Sequence, residues 1–216
     1  MSNSEYLKRY AAPRSWNIDR KIRTFISKPN PGAHPLERAL PLGFIMKELG
    51  LAHTAREVKK ILLAKHILVD GRRVLDPRFP VGLFDTIQIP DLKQAHRVHI
   101  DMKGRLIFTA EKETAHKACR IVGKTMLPGK KIQVNLIDGR NILYDKACAV
   151  GDTLVIEVPS QKVVKHLKLE NGATILITSG RYVGRTTKVT NVAGTTVSFV
   201  INEQPTQTEK QHTYVI

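Results

Sequence analysis

Three basic residues, Arg56, Lys59 and Lys60, recur at the i, i+3, i+4 spacing that places side chains on one face of an α-helix. Cations held at this spacing bind phosphate oxygens, whereas acid–base or nucleophilic catalysis needs carboxylates, histidine or cysteine in mutual reach. A merely solvated helix face would carry acids among the bases, and Glu57 is the one acid in this stretch. The spacing therefore predicts a surface that binds a polyanion.

Two helices and a hairpin are predicted to position this basic face. Thr54 and Glu57 have capping-box spacing, so Thr54 should begin the basic helix. Glu57, the one acid of this stretch, should then be engaged in the cap. Apolar residues on its other side should pack on an earlier helix that starts after Pro41 and stops near Gly50. After the basic helix, Asp70-Gly71 predicts a two-residue hairpin turn, which is followed at once by two arginines.

The charge of the whole chain agrees with this surface. The 216 residues carry a formal net charge of +16, against the roughly 2–8 of a small soluble domain. The excess is +5 over residues 1–40, +4 over 41–100, +5 over 101–170 and +2 over 171–216. A protein with a single nucleic-acid site usually concentrates its charge in one region, so this spread indicates a protein embedded in nucleic acid.

Several other kinds of site are not predicted. Cys119 and Cys148 are far apart without CxxC spacing, and the eight histidines are scattered, so we expect no metal, disulfide framework or cofactor. Residues 180–186 lack the lysine of a phosphate-binding P-loop and are one residue short of its spacing. No run approaches the ~20 apolar residues that span a bilayer, and no secretory pattern begins the chain, which predicts a cytoplasmic protein.

The N-terminal 40 residues mix basic and aromatic side chains, and four prolines interrupt any long helix. This composition suits phosphate contacts combined with base stacking. A disordered tail is the alternative interpretation. We favour an extended arm that becomes ordered on RNA, because aromatic residues are unusual in tails that only interact with solvent.

The remaining sequence predicts short strands joined by tight turns, at Lys103-Gly104, Asp138-Gly139 and Asn171-Gly172, with a short helical stretch over residues 111–119. Regularly spaced strands near the C-terminus predict a small barrel. The predicted fold class is therefore α+β and multi-module. Its predicted parts are a basic arm (1–40), an αβ RNA-binding module (41–91), a central mostly-β module (92–168) and a small barrel (169–216).

Four motifs carry a resemblance to known families. The segments TAREVKKIL (54–62), VDGRRV (69–74) and GLFDTI (82–87), in this order, resemble the S4-type RNA-binding module. TSGRYVGRT (178–186) resembles a KOW motif, which implies an SH3-like barrel, although Thr187 stands where that pattern usually has glycine. The whole chain resembles the ribosomal protein family S4e of archaea and eukaryotes. Supporting segments are 7–16, 40–42, 81–85, 101–105 and 151–153.

The resemblance implies a structural, non-catalytic constituent of the small ribosomal subunit, which binds 16S-type rRNA and neighbouring ribosomal proteins and no small-molecule substrate. Because the chain ends soon after the KOW motif, an archaeal source is expected. An RNA-binding translation or assembly factor is one alternative. An RNA-modifying enzyme that docks through its S4-like module is another, but Asp70, Asp138 and Asp152 are interpreted as turn residues rather than nucleophiles.

The predicted rRNA-binding residues come from the basic segment, the basic helix and the turns. Trp16 either stacks on bases or anchors a small core, and Tyr182, between two arginines, is the better stacking candidate. The full predicted set is Lys8, Arg9, Arg14, Trp16, Arg20, Lys21, Arg23, Lys28, Thr54, Arg56, Lys59, Lys60, Lys65, Arg72, Arg73, Lys103, Arg105, Arg181, Tyr182 and Arg185.

Overall fold

The computed structural model describes residues 5–64, 67–111, 113–129, 131–201 and 204–216. The chain divides into two compact units. The first contains the chain up to residue 99 together with residues 105–114, and the second contains residues 100–104 and 115–216. Each unit has its own buried apolar residues, so each is described separately below.

The first unit contains helices α1 (Leu42–Glu48) and α2 (Ala55–Ala64). Strand β8 ends at the boundary between the units. The strands of this part of the chain are β1 (Tyr6–Lys8), β2 (Phe25–Ser27), β3 (Ala39–Pro41), β4 (Leu68–Val69), β5 (Arg72–Arg73), β6 (Pro80–Gly82), β7 (Thr86–Ile89), β8 (Gln94–Ile100) and β9 (Leu106–Ala110).

The two helices begin and end as their sequences predict. Pro41 stands at the N-cap of α1, and Gly50 follows the helix with a φ of 71°, which a residue without a Cβ adopts at low cost. Thr54 Oγ1 accepts a hydrogen bond from the Glu57 amide at 3.2 Å, and the Glu57 carboxylate accepts one from the Thr54 amide at 3.3 Å. The predicted capping box is therefore confirmed.

The N-terminal segment is part of the core of the first unit, and the prediction of an extended arm is wrong for its described residues. Strands β1 and β2 pair in antiparallel register, and Ala12, Trp16 and Ile26 are buried in the same apolar cluster as Leu42 and Leu62. Of the four aromatic residues that suggested RNA-induced ordering, Trp16 has apolar partners within the unit, whereas Tyr6, Tyr10 and Phe25 are exposed. Burial of Ala12, Trp16 and Ile26 offsets part of the entropy of ordering this segment.

A five-stranded sheet in the order β5-β4-β7-β8-β9 supports the predicted arginine hairpin. Strands β4 and β5 are joined at Asp70 and Gly71, whose φ angles of 49° and 72° are the positive pair that a tight hairpin turn needs. The buried Asp70 carboxylate accepts hydrogen bonds from the Thr86 amide at 3.0 Å and from its hydroxyl at 3.3 Å. Asp70 thus holds the hairpin to strand β7, as its interpretation as a turn residue requires.

The second unit consists of antiparallel strands in two five-stranded sheets, in the orders β12-β11-β10-β13-β14 and β18-β17-β16-β15-β19. Its strands are β10 (His116–Leu127), β11 (Lys131–Leu136), β12 (Asn141–Leu143), β13 (Thr153–Glu157), β14 (Val163–Leu167), β15 (Thr174–Ile177), β16 (Thr186–Ala193), β17 (Thr196–Ile201), β18 (Gln204–Glu209) and β19 (Thr213–Val215).

The short helix predicted over residues 111–119 is absent, and that prediction is wrong for the residues of this stretch that the structure describes. Strand β10 begins at His116 and pairs with β13, so that Cys119 lies opposite Leu154. Both of these side chains are fully buried, together with Ile121. Pairing with a strand that lies more than 30 residues away overrides the local preference, which is a tertiary effect that periodicity does not contain.

A buried charged cluster follows strand β11. Asp138 Oδ2 lies 3.2 Å from Lys117 Nζ and 3.3 Å from Arg140 Nε, and the side chains of Asp138 and Lys117 are each only 2% exposed. Burial of Asp138 opposes its ionisation, but the charges of Lys117 and Arg140 hold the pKa of its carboxyl below the usual 3.8. Cys119 donates to the same carboxylate, and burial raises the pKa of this thiol. The predicted Asp138-Gly139 hairpin therefore has a charged anchor.

Asp152 occupies a similar turn before strand β13. Its carboxylate accepts hydrogen bonds from the backbone amides of Ala149 at 2.8 Å and Leu169 at 3.0 Å, and it lies 2.9 Å from His166 Nε2. Burial opposes its ionisation, while these amides and His166 hold the pKa of Asp152 below its usual value. These hydrogen bonds show that Asp152 stabilises the turn, in agreement with its interpretation as a turn residue.

Candidate nucleic-acid interface

The basic face of α2 lies opposite its buried face. Val58 and Leu62 are buried in the core of the first unit, whereas Arg56, Lys59 and Lys60 are exposed. None of these three cations makes an ion pair with another described residue. The face is therefore a fixed group of cations that are free to bind an external anion.

The single acid of α2 is engaged elsewhere. Glu57 Oε2 accepts hydrogen bonds from the backbone amides of His53 at 2.8 Å and Thr54 at 3.3 Å. The His53 amide, followed by the bonds to Thr54, lowers the pKa of Glu57 below 4.5, so the carboxylate is ionised at neutral pH and held at the helix start. The capping box thus supplies both the beginning of the helix and an undisturbed basic face.

The arginine hairpin is held close to the end of the same helix. Arg73 donates a hydrogen bond of 3.1 Å to the Leu63 carbonyl in the last turn of α2, where carbonyl groups lack helical partners. Arg72, its neighbour on β5, is exposed and makes no ion pair with another described residue. The hairpin therefore uses one arginine for attachment and presents the other to solvent. Lys65, also predicted here, lies outside the described residues.

The predicted basic residues of the N-terminal segment differ in exposure. Arg20 is partly buried and donates to the carbonyls of Tyr10 at 2.8 Å and Pro13 at 3.1 Å, so its guanidinium holds this segment in shape. Arg9 and Lys28 are also partly buried. The exposed basic residues predicted in this segment are Lys8, Arg14, Lys21 and Arg23.

Trp16 is a core residue, and its prediction as an rRNA-stacking side chain is wrong. Its side chain is only 2% exposed and belongs to the same apolar cluster as Leu42 and Val58. A buried indole offers no face to a base. Of the two roles that the sequence left open, the structure therefore shows the core anchor.

Lys103 and Arg105 flank the turn at Gly104, whose φ is 73°. Both side chains are exposed. Arg105 donates a hydrogen bond of 3.0 Å to the Asn17 side-chain oxygen, which leaves most of its guanidinium donors free for a phosphate.

Tyr182 forms a small cluster with two arginines in the second unit. Its ring packs edge-on against Phe199 with 6.3 Å between ring centroids, and the guanidinium carbons of Arg181 and Arg185 each lie 5.8 Å from its centroid. These are cation–π distances, so the ring orients both arginines. Base stacking on this partly buried ring stays a prediction. Thr187 lies within β16 and donates to the Val200 carbonyl at 3.1 Å, so an ordinary strand residue fits there without glycine.

Two exposed lysines, Lys124 and Lys131, were not among the predicted residues. They lie on the hairpin of β10 and β11, which extends beyond the buried part of its sheet. A sequence feature marks this region, because residues 121–137 contain three lysines and no acid.

No metal site is found in the described part of the chain, which has no group of three histidine, cysteine, aspartate or glutamate side chains placed to hold an ion. Among the described residues, no helix is long and apolar enough to cross a membrane.

Three family models match the chain, each over a different segment. The RS4NT (NUC023) domain matches residues 1–37, the S4 domain matches residues 41–87, and the Ribosomal family S4e model matches residues 92–163. Full-length relatives agree with these matches. Small ribosomal subunit protein eS4 of Methanosphaera stadtmanae is 40% identical over 89% of this chain and 81% of its own length. The chain belongs to the ribosomal protein family S4e.

Another eS4 protein and a crystal structure give the same family. The eS4 protein of Methanocella arvoryzae is 37% identical over 98% of this chain and 93% of its own length. The crystal structure of the 30S ribosomal protein S4e from Thermoplasma acidophilum superposes with a TM-score of 0.70 at 30% identity, covering 83% of this chain and 94% of that one. The predicted family is confirmed, with archaeal relatives. Membership of S4e also confirms a structural ribosomal protein rather than an RNA-modifying enzyme.

Proposed function

We propose that this S4e protein binds 16S-type rRNA of the small ribosomal subunit through the basic face of α2 and the adjacent arginine hairpin, during both assembly and translation. The observation that carries the proposal is the face itself, since Arg56, Lys59 and Lys60 are exposed together while the only acid of α2 is held in the cap. Cations arranged in this way bind phosphates and position a protein on RNA independently of base sequence.

The remaining exposed members of the predicted set extend this surface over the chain. Together with the basic face and Arg72 they are proposed to contact rRNA phosphates, in keeping with a net charge of +16 that is spread over every segment. These further residues are Lys8, Arg14, Lys21, Arg23, Lys103, Arg105 and Arg181, and the partly buried Arg185 beside Tyr182 is proposed to act with them.

The finer organisation is part of the same proposal. We propose a C-terminal module over residues 169–216, an SH3-like barrel that carries the KOW motif, after a central mostly-β module that ends at residue 168. The predicted limit between residues 91 and 92 is not retained, because β8 and β9 lie in one sheet with β7. Support for the barrel comes from a five-stranded antiparallel sheet around the buried Phe199. The partners are small-subunit rRNA and neighbouring ribosomal proteins, and the protein acts in the cytoplasm on ribosomes.

A charge-reversal experiment tests the rRNA-binding face. The full chain with Arg56→Glu, Lys59→Glu and Lys60→Glu should keep the circular dichroism spectrum and melting temperature of the wild type, because all three side chains are exposed. Its affinity for small-subunit rRNA should fall about 100-fold at moderate salt, and the slope of log K against log salt should fall by about 3.

The matched control reverses three exposed lysines that were not predicted to bind rRNA, so that the net charge changes by the same amount. Affinity in this control should fall much less than in the face variant. Equal losses of rRNA affinity in the two variants would mean that only net charge matters, and would refute the proposed role of the basic face of α2. The control substitutions are Lys47→Glu, Lys93→Glu and Lys162→Glu.

Sedimentation separates a constituent of the subunit from a visiting factor. The protein should sediment with small subunits in a sucrose gradient at about one copy per subunit, and it should stay there after a high-salt wash. Salt screens exposed charge contacts much more than buried ones. A permanent constituent, whose phosphate contacts are many and partly buried, should therefore stay bound, whereas a factor held mainly by exposed charges should be released. Loss of the protein in the wash would contradict the proposed role.

A further inference from the structure

The hairpin of β10 and β11 continues beyond strand β13 as a ribbon, formed by residues 122–129 and 131–135, and β12 lines one edge of this ribbon for three residues. Strand β10 pairs with β13 only from His116 to Arg120, and with β11 from Ile121 to Leu127. Strand β11 pairs with β12 only between Gln133 and Asn135. Near the tip, the described strands therefore pair only with each other.

A bulge marks the start of this ribbon. The register shifts between Ile121 and Gly123, so that Ile121 lies opposite Leu136 and Gly123 lies opposite Asn135. Bulges increase the local twist and bend of a hairpin, and they occur where a strand pair leaves its sheet. Ile121 is fully buried, whereas Val122 is 49% exposed and Met126 is 77% exposed. The polypeptide thus leaves the core at this point.

One face of the ribbon is polar and uncharged. Val134 is fully buried, so its neighbours Gln133 and Asn135 project from the opposite face of the sheet, because side chains alternate along a strand. The register adds Thr125 opposite Gln133, and Asn141 opposite Asn135. Three amides and a hydroxyl therefore lie side by side. Each of these groups both donates and accepts hydrogen bonds.

Gly123 keeps this polar face open. It lies opposite Asn135, and a Cβ added at Gly123 would be 3.7 Å from the Asn135 side-chain nitrogen, which is an ordinary contact distance. The absence of a side chain is therefore not required by packing within the protein. It leaves the Asn135 amide accessible to a ligand that approaches the backbone closely.

One lysine borders the polar face. Lys131 is exposed and lies on the same face as Gln133, two residues further along β11, and residues 121–137 contain no acid that could neutralise it. Lys124 lies opposite the buried Val134 and projects from the other face. A protein partner would favour a larger apolar patch or complementary acids, whereas this combination of amides and a cation suits RNA. The shallow minor groove of an RNA helix displays 2′-hydroxyls and base edges between two rows of phosphates.

We infer that the ribbon is a second, separate rRNA-binding element, whose amide face lies on the minor groove of an rRNA helix while Lys131 contacts a flanking phosphate. This inference rests on the proposed function, because it assigns a further part of the chain to the same partner. It predicts hydrogen bonding to 2′-hydroxyls by Gln133 and Asn135, in addition to charge.

Steric closure of the face is the sharpest test. Gly123→Val in the full chain should leave the melting temperature unchanged or higher, because β-branched residues favour strands and the added Cβ meets no clash. Its Kd for small-subunit rRNA should rise about tenfold, equal to the loss of one or two hydrogen bonds, with the salt slope unchanged. The control Thr174→Val, at an exposed position of β15, should change neither the melting temperature nor the Kd for rRNA.

The lysines test the charge contribution. Lys131→Ala should lower the salt slope by about 0.9, because one phosphate contact is lost. Lys124→Ala is the matched control, since Lys124 projects from the opposite face, and it should leave the slope nearly unchanged. An unchanged slope and Kd in Lys131→Ala would mean that this lysine only protects an open strand edge from aggregation, and would overturn the inference.

Crosslinking identifies the partner directly. A photoreactive benzoylphenylalanine in place of Thr125, in the full chain assembled into small subunits, should crosslink to rRNA, and the product should be sensitive to ribonuclease. Crosslinking to another ribosomal protein would overturn the inference. If the wild-type chain itself fails to bind rRNA, the proposed function fails. If the wild type binds rRNA and Gly123→Val binds equally well, the inference about the ribbon is refuted and the proposed function stands.

Discussion

Replacing Trp16 tests whether the N-terminal segment is a folded part of the first unit. Trp16 is the only tryptophan of the chain, and it is 2% exposed in a cluster that contains Leu42 and Leu62 of the two helices. Trp16→Ala should therefore destabilise the protein even in the absence of RNA. An arm that orders only on RNA would tolerate the same change.

The size of the effect follows from the buried area. A buried aromatic side chain removes roughly 150–250 Å² from water, which at about 25 cal/mol per Å² corresponds to about 4–6 kcal/mol as an upper value. Large-to-small substitutions at buried tryptophans cost about 3–5 kcal/mol. We expect about 4 kcal/mol for Trp16→Ala, which lowers the melting temperature of a unit of this size by about 15 °C.

Thermal unfolding followed by circular dichroism measures this loss in the full chain. Tyr10→Ala is the matched control, because Tyr10 lies in the same segment and is 69% exposed, so its removal should cost less than about 0.5 kcal/mol. Trp16→Phe, which retains an aromatic ring, should recover at least about half of the loss. In the wild type without RNA, tryptophan emission should be that of a buried indole and should shift only when the protein unfolds.

Two results would refute this reasoning. Solvent-like tryptophan emission that acrylamide quenches freely in the RNA-free protein would show that Trp16 is not packed. Equal melting temperatures for Trp16→Ala and Tyr10→Ala would show that the N-terminal segment contributes nothing to the core.

Two further predictions concern the second unit. Asp138→Asn should lower the free energy of unfolding by about 3–5 kcal/mol at neutral pH, because it removes the charge that compensates the buried Lys117. Since the pKa of Asp138 is lowered in the folded state, its contribution to stability is fully present above about pH 3.8 and is lost as the pH falls further. The free energy of unfolding should therefore depend less on pH in this acid range in the variant than in the wild type. Gly184→Ala should destabilise more than Gly180→Ala: both have positive φ, but a Cβ at Gly184 would lie 2.5 Å from the Asp101 carbonyl oxygen, whereas Gly180 has open space. Similar melting temperatures for the two glycine variants would contradict this steric argument.

Local features of the fold were predictable from the sequence. The capping box of Thr54 and Glu57 and the turn at Asp70-Gly71 each depend on residues within a few positions of one another. The amphipathic pattern of α2 likewise separates Val58 from Lys59 without reference to distant residues. The basic face was therefore predictable, because its exposure follows from burial of the opposite side.

Features that depend on distant partners were not predictable. Residues 111–119 contain no local pattern that reveals pairing of Cys119 with Leu154, and the helical prediction failed there. The roles of the arginines depend on which carbonyls approach them, so Arg20 and Arg73 bind backbone oxygens while Arg72 remains exposed. The ribbon was missed because projection beyond a sheet depends on where neighbouring strands stop.

The sequence by itself determined the family, the overall basic charge and the helix that presents Arg56, Lys59 and Lys60, because motif order, composition and 3.6-residue periodicity are all contained in the linear chain. Only the tertiary structure decided what Trp16 does. The same aromatic residue in a basic, proline-containing segment suits an RNA base or an apolar core. The choice depends on whether apolar side chains more than 20 residues away reach it, and here they surround it.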